Sequence, residues 1–358
     1  MQIQFKKDQL GFLDTYVKCI DSSSPIHEKF KISGKEGDSK IVFSQLSNLG
    51  YLITEVDYAD VKDFEFIFDT SIFVSLIKLL DKEVNITITS SGIEFNGNKY
   101  DICNEEIEIG DVYELLSKIN NSDKSFKLID IDKFSNLKDY VGQQGLDTIS
   151  YQDKYFVSSN RLYVTAFCKT EFKYDNDFYF SSGLFQLLNE AKIKEIDIKL
   201  CDDFYFCKVD KNYILILNKE EDYYILPNMF TDDIKSIYEH PFNIQIEKGK
   251  IIEALERIRI IARNNRENRI FVSIKNDSIE LINNDTQYAI EKIKTVSSNN
   301  TEMEFPISVN YFLSIIYNLT GKTIDLYYNI ETEESELICI NLSDENKDKF
   351  YILNLLEG

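Results

Sequence analysis

Two histidines, six scattered cysteines and no long apolar run among 358 residues remove several classes of function at the outset. Neither His27 nor His240 has a nearby Cys or Ser that would make a nucleophile pair, so both read as loop or core residues. Cys19, Cys103, Cys168, Cys201, Cys207 and Cys339 contain no C-x-x-C pair. In a chain this long they read as reduced core residues of a cytoplasmic protein. No stretch approaches the ~20 uninterrupted apolar residues of a membrane span. The opening MQIQFKKDQLGFLDTY carries charges inside its apolar pattern and does not read as a signal peptide. No G-x-x-x-x-G-K-[ST], G-x-G-x-x-G or H-E-x-x-H is present. The expectation is a protein without catalytic residues, metal or cofactor.

Basic residues are also in deficit. Forty Lys and Arg face 61 Asp and Glu, a net charge of −21. A nucleic-acid binder usually shows the opposite balance. That objection concerns the average charge rather than its placement. Of six arginines, five (Arg257, Arg259, Arg263, Arg266 and Arg269) fall within thirteen residues. Apolar residues at 43% and charged residues at 28% are normal for a globular chain able to bury a sizeable core.

What is present is a threefold repeat. Phe64–Thr89 (FEFIFDTSIFVSLIKLLDKEVNITIT), Asp177–Leu200 (DFYFSSGLFQLLNEAKIKEIDIKL) and Met303–Tyr328 (MEFPISVNYFLSIIYNLTGKTIDLYY) share one form. Each is a short strand, a polar cap, an apolar helix and an alternating strand. Phe73, Phe185 and Phe312 coincide, and Leu76, Leu188 and Ile315 follow three residues later. Asp69, Ser181 and Ser308 are the expected N-caps, able to accept from orphan backbone N–H groups. Each unit opens with another expected helix: KKDQLGFLDTYVKCI, DIDKFSNLKDYVGQQ and KGKIIEALERIRIIARNN. In the last, Ile251, Leu255, Ile258 and Ala262 make one apolar stripe. Between the helices lie alternating runs such as KYFVSS, RLYVTAF, RIFVSI and SIELIN, the period of a sheet with one wet face.

The coincident phenylalanines stand 112 and 127 residues apart, so each unit is about 120 residues long. The expected domains are 1–121, 122–238 and 239–358, with polar linkers NNSDK around Ser122 and TDDIKSIYEHP around Ile237. The fold class is α+β, with two helices per unit packed on antiparallel sheet. Periodicity does not choose between a string of modules and part of a closed ring.

The last third carries motifs that resemble those of the bacterial sliding clamp family, the DNA polymerase III beta subunit. KIIEALERIRIIA resembles its LLEALERV-like third-domain helix, and NRIFVSIKNDSIELINND its VRLxV…LxIxANN strand pair. FPISVNYFLSII resembles its IGFNxxYLLDxL stretch, and DYYILP (Asp222 to Pro227) the YxRVLP closing the second domain. The chain departs from the pattern at SSNRLYV, where the family has TDGHRLA and only Arg161 and Leu162 match. The final Asn354, Leu355, Leu356, Glu357 and Gly358 lack the family's Met-Pro-Met and Arg. The first domain matches by pattern alone. A Lys, Asn and Ile bias fits an AT-rich host, and the divergence fits a phage or plasmid replication system.

The resemblance implies three tandem clamp-type domains forming half of a ring, closed by a head-to-tail homodimer around duplex DNA. It implies double-stranded DNA, a DNA polymerase and a clamp loader as partners, in the cytoplasm and away from membranes. The candidate DNA-facing residues are Lys6, Lys7, Lys78, Lys82, Lys133, Lys138, Lys192, Lys194, Lys248, Lys250, Arg263, Arg266 and Lys322. Such contacts would be loose and sequence-independent. Arg257, Arg259, Ile260 and Ile261 fall at the family's dimer joint. Its partner-peptide pocket falls on Leu146, Arg161, Leu162, Ile225, Ser308, Tyr311, Ile352, Asn354 and Leu355. The rival reading keeps the clamp fold as a protein-interaction module that does not encircle DNA. A metal-dependent nuclease hidden among the acids has no supporting motif.

Overall fold

The computed structural model describes residues 2–20, 24–47, 50–103, 112–120, 125–129, 131–141, 148–152, 154–160, 164–171, 174, 178–190, 193–200, 204–208, 214–218, 242–263, 268–284, 287–299, 302–328, 339–344, 348–354 and 356. The expected linkers lie outside them, apart from Asn120, which ends a helix.

Repeat one runs β1 (Ile3–Lys6), a 3-10 turn (Lys7–Leu10), α1 (Leu13–Lys18), a second 3-10 turn (Pro25–Glu28), β2 (Lys29–Gly34), β3 (Lys40–Ser47), β4 (Gly50–Asp57), β5 (Phe64–Asp69), α2 (Thr70–Lys78), β6 (Asn85–Thr89), β7 (Gly92–Phe95), β8 (Asn98–Asp101) and α3 (Val112–Asn120). Repeat two runs β9 (Ser125–Leu128), a single turn α4 (Ile131–Phe134), a 3-10 segment (Ser135–Tyr140), β10 (Thr148–Gln152), β11 (Tyr155–Ser159), β12 (Val164–Lys169), β13 (Phe178–Ser181), α5 (Ser182–Glu190), β14 (Ile196–Leu200), β15 (Phe204–Lys208) and β16 (Ile214–Asn218). Repeat three runs β17 (Phe242–Glu247), α6 (Lys248–Ala262), β18 (Arg269–Ile274), β19 (Ser278–Asn283), β20 (Ala289–Lys294), β21 (Ser297–Asn299), β22 (Met303–Ser308), α7 (Val309–Asn318), β23 (Thr323–Tyr328), β24 (Cys339–Asp344) and β25 (Lys349–Asn354).

Phe73, Phe185 and Phe312 are all fully buried, as their shared register predicts. So are Ile251, Leu255, Ile258 and Ala262, the apolar stripe of α6. Aromatic pairs fill much of the core. Phe30 meets Phe73 edge-on at 4.9 Å, and Phe134 stacks on Phe156 at 4.0 Å and meets Phe185 edge-on at 5.5 Å.

Two expectations need correction. Only α6 is a full opening helix. Repeat one breaks between Leu10 and Leu13, and repeat two leaves the α form after Phe134. Both tighten rather than unwind: around Gly11 the bonds run i to i+3, as in Gly11 N–H to Asp8 O and Asp14 N–H to Gly11 O, with Gly11 itself in the right-handed helical region, and in repeat two the Asn136 side chain is drawn to Tyr351 and Lys349. Capping also differs. Asp69 caps α2, accepting from the Ile72 N–H at 2.9 Å, whereas the Ser308 hydroxyl makes no capping bond to α7.

The strands form four antiparallel sheets, ordered β1-β6-β7-β8, β5-β2-β3-β4-β16-β15-β14-β9, β13-β10-β11-β12-β25-β24-β23-β17-β21 and β20-β19-β18-β22. The chain divides into two compact units, Met1–Ile131 with Leu188–Glu221, and Asp132–Leu187 with Asp222–Gly358. Each unit holds one long sheet and one short one. The long sheets take strands from two consecutive repeats, so the compact units cut through the middle repeat.

Candidate functional site

The way one repeat joins the next is repeated too. In the first unit β4 pairs antiparallel with β16, setting Ile53 against Ile214 and Tyr51 against Ile216. In the second, β12 pairs antiparallel with β25, setting Phe167 against Phe350 and Ala166 against Tyr351. In both joints the fourth strand of one repeat meets the last strand of the next. Among the described residues two strands of these types end their sheets without such a partner: β20, the fourth-strand type of repeat three, and β8, the last-strand type of repeat one. An exposed strand edge presents N–H and C=O groups ready to pair with another chain.

The candidate dimer residues lie beside β20. Arg257 grips Glu291 of β20 through two bonds, Nε at 2.9 Å and Nη2 at 2.8 Å. This pair holds the Glu291 carboxyl below, and the Arg257 guanidinium above, their ordinary ranges. Arg259 lies 4.0 Å from Glu256. Ile260 is 66% exposed, a large apolar side chain in water, while Ile261 is half-buried. Ile290 on the strand and Tyr288 just before it are both exposed.

The candidate DNA-facing cations divide by what their nitrogens touch. Lys7 donates to the carbonyls of Lys78 (3.1 Å) and Leu80 at the end of α2. Lys248 donates to the carbonyls of Tyr317 (3.3 Å) and Leu319 (2.5 Å) at the end of α7. Both ammonium groups therefore satisfy orphan carbonyls at the negative end of a helix. Burial, and secondly the neighbouring Lys349, pull the Lys248 pKa down. Lys78 pairs with Asp14 at 2.8 Å and Lys250 with Glu247 at 2.5 Å. Lys6, Lys82, Lys133, Lys194, Arg263 and Lys322 are exposed, and Lys138 is half-buried. Lys192 and Arg266 lie outside the described residues.

Of the candidate pocket residues, Leu146, Arg161, Leu162, Ile225 and Leu355 lie outside the described residues. Those that remain fall in the second unit. Ile352 packs against Val157, Phe167 and Phe350, an apolar cluster on the sheet at the β12–β25 joint. Ser308 is buried and Tyr311 half-buried at the start of α7, and Asn354 pairs with Cys339 between β25 and β24. The Leu356 N–H reaches the Pro306 carbonyl at 3.1 Å, which brings the chain after β25 back to β22. At the β4–β16 joint the corresponding face, with Val42, Ile53 and Phe204, is covered by Val112, Tyr113 and Leu116 of α3.

Sequence reasoning missed a polar lock at the β12–β25 joint. The Tyr140 hydroxyl lies 3.2 Å from Ser314 Oγ and accepts from Asn318 Nδ2 at 2.7 Å. Tyr351 meets the Tyr140 ring edge-on at 5.2 Å and accepts from Asn136 Nδ2 at 2.8 Å. Burial raises the pKa of both phenols, that of Tyr351 strongly. No sequence signal marks Tyr140 and Ser314 as partners, since 174 residues separate them.

Among solved structures, the DNA polymerase sliding clamp of Pseudomonas aeruginosa matches with a TM-score of 0.76 at 13% identity, over the whole of both chains. The DNA polymerase III beta chain of Streptococcus pneumoniae matches at 0.77 and 12%, again over both whole chains. The beta subunit of Borrelia burgdorferi matches at 0.72 and 16%, over all of this chain and 98% of that one. No protein-family model and no curated protein matches the chain. At these identities the likeness shows the fold, and this chain has the fold of the bacterial DNA polymerase III beta sliding clamps. No helix among the described residues is long and apolar enough to cross a membrane.

Proposed function

We propose that the chain is a non-enzymatic DNA sliding clamp, acting in the cytoplasm as a head-to-tail pair of copies that encircles duplex DNA and tethers a polymerase. In this reading the repeats are three domains, 1–121, 122–238 and 239–358, and one chain is half of the ring. The observation that carries it is the unmatched pair β8 and β20. Two joints within the chain bring a fourth-type strand against a last-type strand, and the leftover strands are one of each. A second copy supplies β8 to β20 and β20 to β8, which closes two seams and leaves no strand of these two types without a partner.

A closed ring holds DNA by topology, so its affinity for phosphate can stay low. That resolves the acidic balance of the chain. An acidic body repels DNA outside, while exposed cations such as Lys6, Lys82, Lys194 and Arg263 make loose contacts inside. Lys7 and Lys248 serve their own helix ends first. Arg257, Arg259, Ile260 and Ile261 belong to the seam.

A polymerase and a clamp loader would dock short apolar peptides at the β12–β25 joint, on the face that includes Ile352. Burying each anchor side chain contributes about 1.5–3 kcal/mol. Because the tail departs from Met-Pro-Met, the peptide preference should differ from that of a standard bacterial clamp. Ordinary clamp-motif affinity in a fluorescent-peptide titration would refute this.

The decisive experiment loads the protein on circular primed DNA and linearises the circle. Polymerase stimulation and retention on circles, lost through free ends, support the clamp. Equal retention on both forms favours the clamp fold as an interaction module that does not encircle DNA.

A further inference from the structure

The two strand joints share one plan but have different floors. The Ser47 hydroxyl donates to the Gly50 carbonyl at 3.3 Å, and the Ser159 hydroxyl to the Val164 carbonyl at 3.3 Å. These bonds make Gly50 equivalent to Val164, and Ile53 to Phe167. Across the joints Ile53 meets Ile214 and Phe167 meets Phe350. On the other side Phe167 pairs with Val157, whereas Ile53 pairs with Ser44. The first floor therefore holds a hydroxyl where the second is apolar. Ser33 extends it, paired with Val42 between β2 and β3. Ser33 is 5% exposed and Ser44 fully buried, yet neither hydroxyl has a hydrogen-bond partner. Buried hydroxyls are ordinarily bonded, so this floor lacks a matching polar atom above it.

What lies above it is α3. Val112, Tyr113 and Leu116 pack on Val42, Ile53 and Phe204, while Glu114 and Ser117 face water. The anchors stand at i, i+1 and i+4, and Lys35 Nζ lies 5.8 Å from the centre of the Tyr113 ring. An amphipathic helix laid on an apolar face by a few anchors is a common mode of peptide recognition. α3 meets the apolar part of the floor and leaves both serines unmatched. It sits there as a ligand of incomplete fit.

We propose that the β4–β16 joint is a second peptide-docking site, held closed by α3 as a ligand in cis. Its partner is a short helical peptide with an apolar residue, an aromatic one and, three residues on, another apolar one. A hydrogen-bonding side chain in that peptide satisfies Ser33 and Ser44. The proposal rests on the reading of the β12–β25 joint as a docking face. Attachment to the chain presents α3 to its joint at an effective concentration of about millimolar. A partner peptide enters where it binds more tightly than that, so the first joint admits a narrower set of partners than the second.

The test uses the full chain and a fluorescein-labelled peptide of residues 111–122, which carries the α3 sequence. Leu116→Asp weakens the hold of α3 through a half-buried anchor, and circular dichroism verifies the fold. By fluorescence anisotropy this variant should bind the peptide at least about tenfold more tightly than wild type. Adding Tyr51→Glu, on the floor of the first joint, should abolish that binding, and adding Ile352→Glu, at the second, should leave it. Equal binding by wild type and Leu116→Asp overturns the proposal. So does binding that Ile352→Glu removes and Tyr51→Glu spares, which would place the peptide on the second joint and uphold the reading of that joint. Hydrogen exchange on the wild-type chain is the second measurement, and it decides if Leu116→Asp does not fold. The α3 amides should exchange at least about tenfold faster than those paired between β4 and β16. Exchange of both at one rate, as a single unit, overturns α3 as a separable ligand.

Discussion

Lys7 and Lys248 stand at the same place in the first and third repeats, and each closes the C-terminal end of its repeat's second helix. A lysine at the head of one helix thus fastens the tail of its neighbour. The bond satisfies carbonyls that the helix leaves open, and the positive charge meets the negative end of its dipole.

Lys248→Met should therefore lower stability by about 1 kcal/mol, read as an earlier urea midpoint with an unchanged slope. Its effect on DNA should be smaller than its charge implies. Replacing exposed Lys6, Lys82 and Arg263 by Glu should shorten residence on circular DNA more than replacing Lys7 and Lys248 by Met. Equal effects from both sets would place the two capping lysines on DNA as well.

Tyr140→Phe removes one hydroxyl and leaves Ser314 and Asn318 without it. The expected loss is about 1–2 kcal/mol, the cost of leaving half-buried polar groups unsatisfied. Asn318→Leu combined with Tyr140→Phe makes this joint apolar and should recover part of that loss. A double-mutant cycle by chemical denaturation measures the coupling.

Tyr351 gives a signature in alkali. Burial raises its folded pKa above the ordinary value of 10.0. The folded protein thus keeps a proton that the unfolded chain has begun to lose. The stability contributed by Tyr351 is complete below pH 10 and falls as pH rises toward the folded pKa. Ultraviolet titration should show a late-ionising phenol that Tyr351→Phe removes.

The Arg257–Glu291 pair gives one in acid. Its bond depresses the Glu291 pKa below 4.5, so its contribution is present above that value and fades as pH falls through the depressed one. Arg257→Ala should move the Glu291 carboxyl resonance back toward the ordinary carboxylate range in an NMR titration. Arg257 is exposed and Glu291 half-buried at the surface, so the change in stability should be small.

Periodicity made the repeat legible. Phe73, Phe185 and Phe312 recur because each must fill the same core position, and the α6 stripe follows from helical spacing. Alternation shows which face of a strand is wet, but not which strand lies beside it. The pairing of Gly50 with Leu217 and of Val164 with Leu353 is therefore invisible along the chain. Those joints carry the functional reading. The Tyr140 lock was missed for the same reason, being polar, non-local and without period. The 3-10 openings of repeats one and two are not full helices: apolar spacing continues through Gly11 while the hydrogen bonds tighten to i to i+3.

The shared sheets also constrain how this chain can be cut. A truncation near residue 121 would strip β16 from β4 and leave a long bare edge bearing Leu52 and Ile53. Such an edge is a template for aggregation rather than a boundary of a folding unit. Soluble fragments should follow the sheets and not the repeats, so the middle repeat alone, raw on both flanks, should be the piece least able to survive excision.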